Sequence, residues 1–250
     1  MAWKKRIEKW RPFVSWECKD IPPDLVLAII RNESNGVAGL PAGTQSKSRD
    51  YIPTASGGTR YVDRAYGLMQ TVPVTVLGYN KHEQAKPDFD PVTLATWEDI
   101  SGTDERAARI QIRAGCYYLA LANHLIHKAH PEAAPAASLS NANTDQIRIV
   151  LTAYAVGAGA TIKKLDQLKE AGKALTFANL ASSFPNWGGK SNRPIYYANK
   201  VSGYYEENKT GSYTGGKPGG LLARIGGKNG TGFVILPVLA ALAFAYWREK

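Results

Sequence analysis

Cysteine is scarce in this sequence of 250 residues, which contains only Cys18 and Cys116. Two cysteines are too few for a disulfide framework, and neither belongs to a Cys-x-x-Cys motif. Cys116 lies between Gly115 and Tyr117 in a helical pattern, where a small buried thiol is the expected state. A bridge between Cys18 and Cys116 is the alternative.

Signatures of metal, phosphate and serine chemistry are also missing. His124, His127 and His130 recur every three residues, but no cluster of carboxylates or cysteines joins them. The segment 211–217 has the spacing of a phosphate loop up to its lysine, but Pro218 replaces the required Ser or Thr. There is no Gly-x-Ser-x-Gly elbow. We therefore expect no metal site, no cofactor and no nucleophilic serine.

Acidic residues are too few to balance the basic ones, and the 31 Lys and Arg against 21 Asp and Glu give a formal net charge of +10. Such an excess favours a polyanionic partner, and nucleic acid, anionic lipid and a negatively charged cell wall all qualify. Zinc-finger spacing and RRM-type aromatic blocks are absent. We therefore expect no specific nucleic-acid partner.

Strand-type alternation is also absent, so the sequence predicts a mainly α domain over residues 1–208. Residues 3–18 are expected to form a helix that Pro12 bends or splits. Residues 35–66 are expected to form a long loop insertion. Prolines and Gly78 leave room for short helices alone before Ser101. The aromatic residues assigned to the core from the first helix are Trp3, Trp10, Phe13 and Trp16.

Three later helices have clear signals. Thr103 can cap a long helix that runs to about Ala129. Asn143, with Gln146 three residues on, predicts the start of a second helix that ends at Gly157. Two shorter helices follow at roughly 160–171 and 176–182, and a last one spans about 194–206.

Glu33 is the strongest catalytic candidate in the predicted domain. Leu25, Ile29 and Glu33 recur at helical spacing after a proline-rich start, so the carboxyl shares a face with core residues. Burial disfavours the charged form of a carboxyl and raises its pKa. A carboxyl that stays protonated near neutral pH can act as a general acid. The alternative is a glutamate at a helix end that reaches water.

Several motifs resemble those of the soluble (SLT) lytic transglycosylases, lysozyme-fold enzymes that cleave peptidoglycan. These are Glu33-Ser34, then Gly67-Leu68-Met69-Gln70, then Ala153-Tyr154 before a glycine turn, and Tyr197-Ala-Asn-Lys-Val201. They occur in the family's order, between about residues 3 and 206. Residues 111–120 are similar to the family's "NI-x-x-G-x-x-YL" helix. The resemblance implies a lysozyme-like fold of the SLT or goose type.

The resemblance also implies the chemistry of the site. Glu33 would protonate the β-1,4 glycosidic oxygen between N-acetylmuramic acid and N-acetylglucosamine, and would then deprotonate the muramyl C6 hydroxyl to close a 1,6-anhydro ring. Ser34 would orient Glu33 or the acetamido group of the sugar. Gly67, Leu68, Met69 and Gln70 would line the cleft. Tyr154 and Tyr197 would hold Glu33 or the sugar through their hydroxyl groups.

Two positions depart from the family pattern, and Asp63, four residues before Gly67, suggests another reaction. Gln111 replaces the usual Asn before its Ile, and Ala155 replaces the usual Asn after the Ala-Tyr pair. Asp63 is a possible second carboxylate that could activate water, which would make the enzyme a hydrolytic muramidase. A further alternative is a protein without catalytic activity that keeps the domain for wall binding or for membrane penetration.

After residue 208 the composition changes. Residues 209–228 are rich in glycine and predict a flexible linker. Residues 229–247 lack charge and are a candidate transmembrane helix that would attach the chain to a lipid bilayer. Tyr246, Trp247 and the basic residues after them are typical of a headgroup boundary. Basic residues flank both sides of the run, so its orientation stays open.

The cellular setting follows from these features as an expectation. The first residues are basic but lack a continuous apolar run, so we expect no signal peptide. Together with the basic charge and the apolar C-terminal run, this favours a membrane-associated virion component of a bacteriophage that acts on the cell wall. A wall-opening enzyme of a secretion or conjugation complex is the competing interpretation. Other proteins of the virion or of that complex are possible partners.

Overall fold

The computed structural model describes residues 2–43, 49–136, 138–184 and 193–210, and these residues form a mainly α-helical domain. The prediction of fold class is therefore confirmed. The helices and strands are α1 (Ala2–Glu8), α2 (Arg11–Glu17), α3 (Pro23–Glu33), β1 (Asp50–Pro53), β2 (Thr59–Val62), α4 (Pro73–Gln84), α5 (Trp97–Ser101), α6 (Glu105–Ala129), α7 (Thr144–Val156), α8 (Ala158–Glu170), α9 (Phe177–Ser183) and α10 (Arg193–Thr210).

Helix α3 lies at the centre of the domain. Its residues 25–30 are all buried, which an amphipathic surface helix would not show. Helix α10 packs against α3 and α7, while α6 packs against α2, α4, α5 and α7. The C-terminal end of α3 is therefore enclosed by other elements.

Several sequence signals are confirmed by the helix ends. Asn143 and Gln146 form a reciprocal capping box at the start of α7. Gly157 ends α7 with a φ of 95°, a backbone conformation that favours glycine. Helix α6 ends at Ala129 as expected, but its N-cap is Asp104, whose side chain accepts a hydrogen bond from the Ala107 amide, and not Thr103.

Two expectations about local structure were wrong. Residues 50–62 contain an antiparallel hairpin, β1 with β2, inside the expected loop of 35–66. The hairpin is short, and its alternation is weak because Tyr51 and Tyr61 are both exposed. Helix α4 is also longer than expected, since Pro73 lies in its first turn, where proline is tolerated, and Gly78 packs beside Tyr117.

The N-terminal segment and the cysteines also differ from expectation. The first helix is split into α1 and α2 around Pro12, as one of the two expected outcomes. Trp16, however, is 69% exposed and does not join the core. Cys18 and Cys116 form a disulfide, so the expectation of a free buried thiol was wrong. The two cysteines are 98 positions apart in the sequence, so no local pattern shows that they lie close together.

The C-terminal boundary is only partly described. Helix α10 continues to Thr210, so the first two residues of the expected linker 209–228 are helical. The rest of that linker and the candidate span 229–247 lie outside the described residues. Within the ranges that the structure describes, no helix is both long and apolar enough to cross a bilayer.

Candidate active site

Glu33 is the last residue of α3, and protein atoms enclose its carboxyl although part of the residue remains accessible. The loss of hydration raises the pKa of this carboxyl to about 7. The Tyr197 hydroxyl, the Lys200 charge and the Asn32 side chain favour the carboxylate and limit that rise. A carboxyl with such a pKa can donate a proton and take one back near neutral pH.

Tyr197 brings α10 against this carboxyl. Its side chain is fully buried, and its hydroxyl is close enough to Glu33 to lower the pKa of that carboxyl. The contact does not meet the geometry of a normal hydrogen bond, and the Tyr197 hydroxyl has no hydrogen-bond partner among the described residues. Desolvation raises the pKa of Tyr197 well above its ordinary value, so the hydroxyl keeps its proton.

Arg31 fixes α10 beside α3 two residues before Glu33. Its guanidinium lies over the ring of Tyr204 at 3.7 Å and over the ring of Trp3 at 4.0 Å. Its Nη1 also forms an ion pair with Glu207 at 2.7 Å. The cation–π contacts and the partly buried ion pair together fix the position of α10 relative to α3. This position keeps Tyr197 beside Glu33.

Ser34 connects the end of α3 to the Gly67–Gln70 turn. Its hydroxyl is buried and has two acceptors in reach, the Leu68 carbonyl at 2.9 Å and the Ile30 carbonyl at 3.1 Å. The same oxygen accepts a hydrogen bond from the Gly36 amide at 3.2 Å. The Ser34 hydroxyl is therefore engaged with main-chain groups of α3, of the residues that follow it and of the turn.

The Gly67–Gln70 turn is itself held by side chains that bind its backbone. The Tyr154 hydroxyl donates to the Met69 carbonyl at 2.7 Å, so its proton is engaged by the turn and not by Glu33. Gln70 donates through Nε2 to the Gly67 carbonyl at 3.0 Å and to the Leu40 carbonyl at 2.7 Å. These bonds place Tyr154 and Gln70 in the framework of the site.

The side chains of the turn have two different environments. Leu68 and Met69 are fully buried in the main core, so these two residues can face a cleft only through their backbone. The Gln70 Oε1 atom is buried and makes no hydrogen bond among the described residues. The amide nitrogen of Gln70 therefore supports the turn.

Gln111 is a central residue of this framework, and the sequence analysis identified it only as a departure from the family pattern. Its Oε1 accepts from the amides of Leu68 at 3.0 Å and Gly39 at 3.2 Å. Its Nε2 donates to the carbonyls of Asp99 and Gly102, each at 2.9 Å. A fully buried side chain thus joins three segments of the chain with every polar site satisfied.

Glycine is required where Gln111 meets the turn. Gly67 has a φ of 83°, and a Cβ there would lie 2.6 Å from Cγ of Gln111. Gly115, one helical turn after Gln111, has no room for a side chain because Met69 fills that space. The motif's glycine therefore allows the turn to approach α6 closely.

Asp63 lies between β2 and the Gly67–Gln70 turn and is half-buried. Its carboxylate accepts from Nε of Arg64 at 3.3 Å. Its role as a second carboxylate stays a prediction. Ala155, which replaces the family's Asn, is buried in α7.

No group of three or more His, Cys, Asp or Glu side chains in the described ranges is arranged to hold a metal ion. Two of the three histidines at the C-terminal end of α6 have other contacts. His130 contacts Asp166 at 2.9 Å, and His127 contacts the Ala134 carbonyl at 2.9 Å.

A helical domain with a dehydrated carboxyl at the end of a buried helix can carry out the acid–base chemistry that glycan cleavage requires. A protein-family model described as the transglycosylase SLT domain matches residues 13–177, which is more than half of the chain. The chain belongs to this family of lytic transglycosylases, which act on peptidoglycan with a lysozyme-like fold. Tyr197 lies beyond the matched residues. No curated protein and no solved structure matches the chain.

Proposed function

We propose that the protein cleaves the β-1,4 bond between N-acetylmuramic acid and N-acetylglucosamine with Glu33 as its acid and base. The observation that carries this proposal is the position of Glu33 at the end of α3, where lost hydration raises the pKa of its carboxyl to about 7. One group can serve both steps because its pKa lies near the working pH.

The proposed reaction has two proton transfers. Glu33 gives its proton to the glycosidic oxygen as the bond from that oxygen to the muramyl C1 breaks. The substrate's own N-acetyl group stabilises the positive sugar, so a second carboxylate is not required. The Glu33 carboxylate then takes the proton of the muramyl C6 hydroxyl while O6 bonds to C1. The products are a free N-acetylglucosamine hydroxyl and a 1,6-anhydro end, and no water is consumed.

The Tyr197 hydroxyl, next to Glu33, and the Gln70 side chain, in the Gly67–Gln70 turn, are the two groups that we assign to the sugar. The Tyr197 hydroxyl and the Gln70 Oε1 atom are buried, and neither has a hydrogen-bond partner among the described residues. The hydroxyl can donate to an acetamido oxygen, and the amide oxygen can accept from a sugar hydroxyl or amide. Ser34 and Tyr154 support the reaction indirectly through their bonds to Leu68 and Met69.

Mass spectrometry of the muropeptides released from purified sacculi tests this chemistry. Anhydro ends without reducing muramyl ends are expected. Reducing ends that incorporate solvent oxygen would instead identify a hydrolytic muramidase, with Asp63 as the base, and Asp63→Asn should then abolish the activity. Release that persists unchanged in Glu33→Gln would exclude Glu33 under either mechanism.

We also propose that the protein opens the wall locally for phage entry as a membrane-associated virion component. The uncharged run 229–247 is long enough to span most of a bilayer, and the net charge of +10 suits an anionic wall or membrane surface. Liposome flotation of the full chain should resist high salt and carbonate. Release by salt alone would indicate electrostatic attachment. Detection in purified virions supports the phage setting, whereas detection in a secretion complex would contradict it.

A further inference from the structure

A cavity of about 680 Å³ lies between the end of α2, α4 and α6. Its volume is within the range of about 300–1,000 Å³ found for ligand sites. It reaches Ile21, just before α3, whereas Glu33 ends that helix. The 11 residues of α3 put about 16 Å between the two helix ends. The proposed catalytic residues do not line this cavity.

Aromatic side chains form much of its apolar surface. Trp16 lines the cavity and is 69% exposed, and Phe89 lines it with 36% of its surface exposed. Tyr79 and Tyr117 add two further rings from α4 and α6. The face of an aromatic ring packs well against a flat ligand that has apolar faces and polar groups around its edge. A pyranose ring has this form.

The walls of the cavity are fixed by covalent and ionic contacts. Cys18 and Cys116, which form the disulfide, both line it. The Glu17 carboxylate has a side-chain exposure of 4% and accepts from Nε of Arg113 at 2.5 Å and of Arg109 at 2.7 Å. A surface fixed in this way loses little conformational entropy when a ligand binds.

The lining of the cavity is rich in groups that accept hydrogen bonds. Acidic residues outnumber Lys and Arg in the lining, although the protein as a whole carries a net charge of +10. Carboxylates repel phosphates but accept hydrogen bonds from hydroxyl and amide groups. The carboxylates that are not paired with lysine or arginine in the described structure are Asp20, Asp88 and Asp90. Rings combined with such acceptors suit the hydroxyl and acetamido groups of a sugar.

We propose that this cavity is a second, non-catalytic site for N-acetylated sugar units of a peptidoglycan glycan strand. The inference rests on the proposed function only for the identity of the polymer. A chain that binds one strand at both sites holds the scissile bond at a high effective concentration. The site would therefore serve long strands and insoluble wall, and would contribute nothing to short glycans.

The test is binding of full-length Glu33→Gln protein to purified sacculi, because this background prevents digestion. Trp16→Ala should weaken binding about threefold to tenfold, the loss expected for one aromatic stacking contact. Trp16→Phe should retain most of the affinity. Tyr196→Ala is the matched control, since Tyr196 is 45% exposed on α10 and does not line the cavity. Equal binding by Trp16→Ala and the control would overturn the proposal.

Two further measurements identify the occupant and separate this inference from the catalytic one. Peptide-free glycan strands should show the same dependence on Trp16, and dependence on intact stem peptides alone would overturn the proposal. In protein with Glu33 intact, Trp16→Ala should release product from short soluble glycans at an unchanged rate and from sacculi more slowly. Trp16-dependent binding by a protein that cleaves no glycan would support the inference while refuting the proposed function.

Discussion

Around Glu33 the chain is fixed by side chains that bind backbone groups, whereas around the Cys18–Cys116 disulfide it is fixed by a covalent bond and ion pairs. The first region encloses a carboxyl and alters its pKa, while the second leaves Trp16 in solvent beside an open cavity. Proton transfer requires a dehydrated group in fixed geometry, whereas sugar binding requires accessible rings and acceptors. The two regions therefore predict different responses to mutation.

The largest expected effect is on catalysis. Glu33→Gln keeps the volume of the side chain but removes the transferable proton, so peptidoglycan turnover should fall about 10²–10⁴-fold. Zymograms with circular dichroism measure activity and folding together. Glu206→Gln, on the solvent-facing part of α10, is the control and should retain activity. A Glu33→Gln enzyme with more than a few per cent of the activity would show that another group is the acid.

The disulfide region should respond in stability. Replacing both Cys18 and Cys116 by serine should lower the free energy of unfolding by about 2–5 kcal/mol, because the bridge closes a long loop in the unfolded chain. Denaturant titration measures this loss, and reducing agent should destabilise the wild type alone. At temperatures where the variant stays folded, the pH dependence of catalysis should be unchanged. A shifted pH profile would show that the two regions are coupled.

Gln111 tests whether the framework of the catalytic region depends on backbone bonding. Gln111→Ala leaves two amides and two carbonyls without their buried partner, and should lower the free energy of unfolding by about 2–4 kcal/mol. Gln111→Asn is one methylene shorter and should recover only part of this loss. Gln167→Ala on exposed α8 is the control. An unaffected Gln111→Ala protein would contradict the bonding described for the Gly67–Gln70 turn.

Smaller effects are expected from the residues that hold this turn or contact the sugar. Gln70→Ala and Tyr154→Phe should each raise the activation free energy by about 1–3 kcal/mol. The rate should then fall roughly tenfold to a hundredfold. Neither variant removes the proton that Glu33 transfers. Initial rates on sacculi, compared with those of Glu33→Gln, test the ranking. Equal losses at all three positions with intact folding would contradict the assigned roles.

The sequence predicted those features that depend on local pattern. Apolar spacing identified α3 and located Glu33 on its buried face, and the Asn143–Gln146 spacing identified the start of α7. These signals lie within a few residues of one another. The wrong expectations depended on residues far apart in the chain, as for the disulfide, or on which side of a short helix faces the core, as for Trp16.

The sequence predicted which residues form the framework of the site but not which hydrogen bonds they make. The motifs identified Ser34, Tyr154 and Gln70, but their hydrogen bonds to Leu68, Met69 and Leu40 depend on the packing of the helices. Gln111 carried a usable signal, because it occupies the position where the family has an amide side chain. Its longer side chain bonds to the backbone of three segments, at Gly39, at Leu68 and at Asp99 with Gly102.

The central claim is that Glu33 is protonated near neutral pH, and a ¹³C NMR titration of its side-chain carboxyl tests it directly. The expected pKa is about 7. Folding raises this pKa, so ionisation of Glu33 should lower the free energy of unfolding of the wild type. This loss should be absent at pH values below the pKa of the unfolded state and complete at pH values above the pKa of the folded state. The difference in free energy of unfolding between Glu33→Gln and the wild type should therefore shift by about 1–3 kcal/mol in favour of the variant between pH 4 and pH 8. A carboxyl whose pKa lies near the ordinary value of 4.5, with no such gain, would contradict the assignment of Glu33 as the general acid.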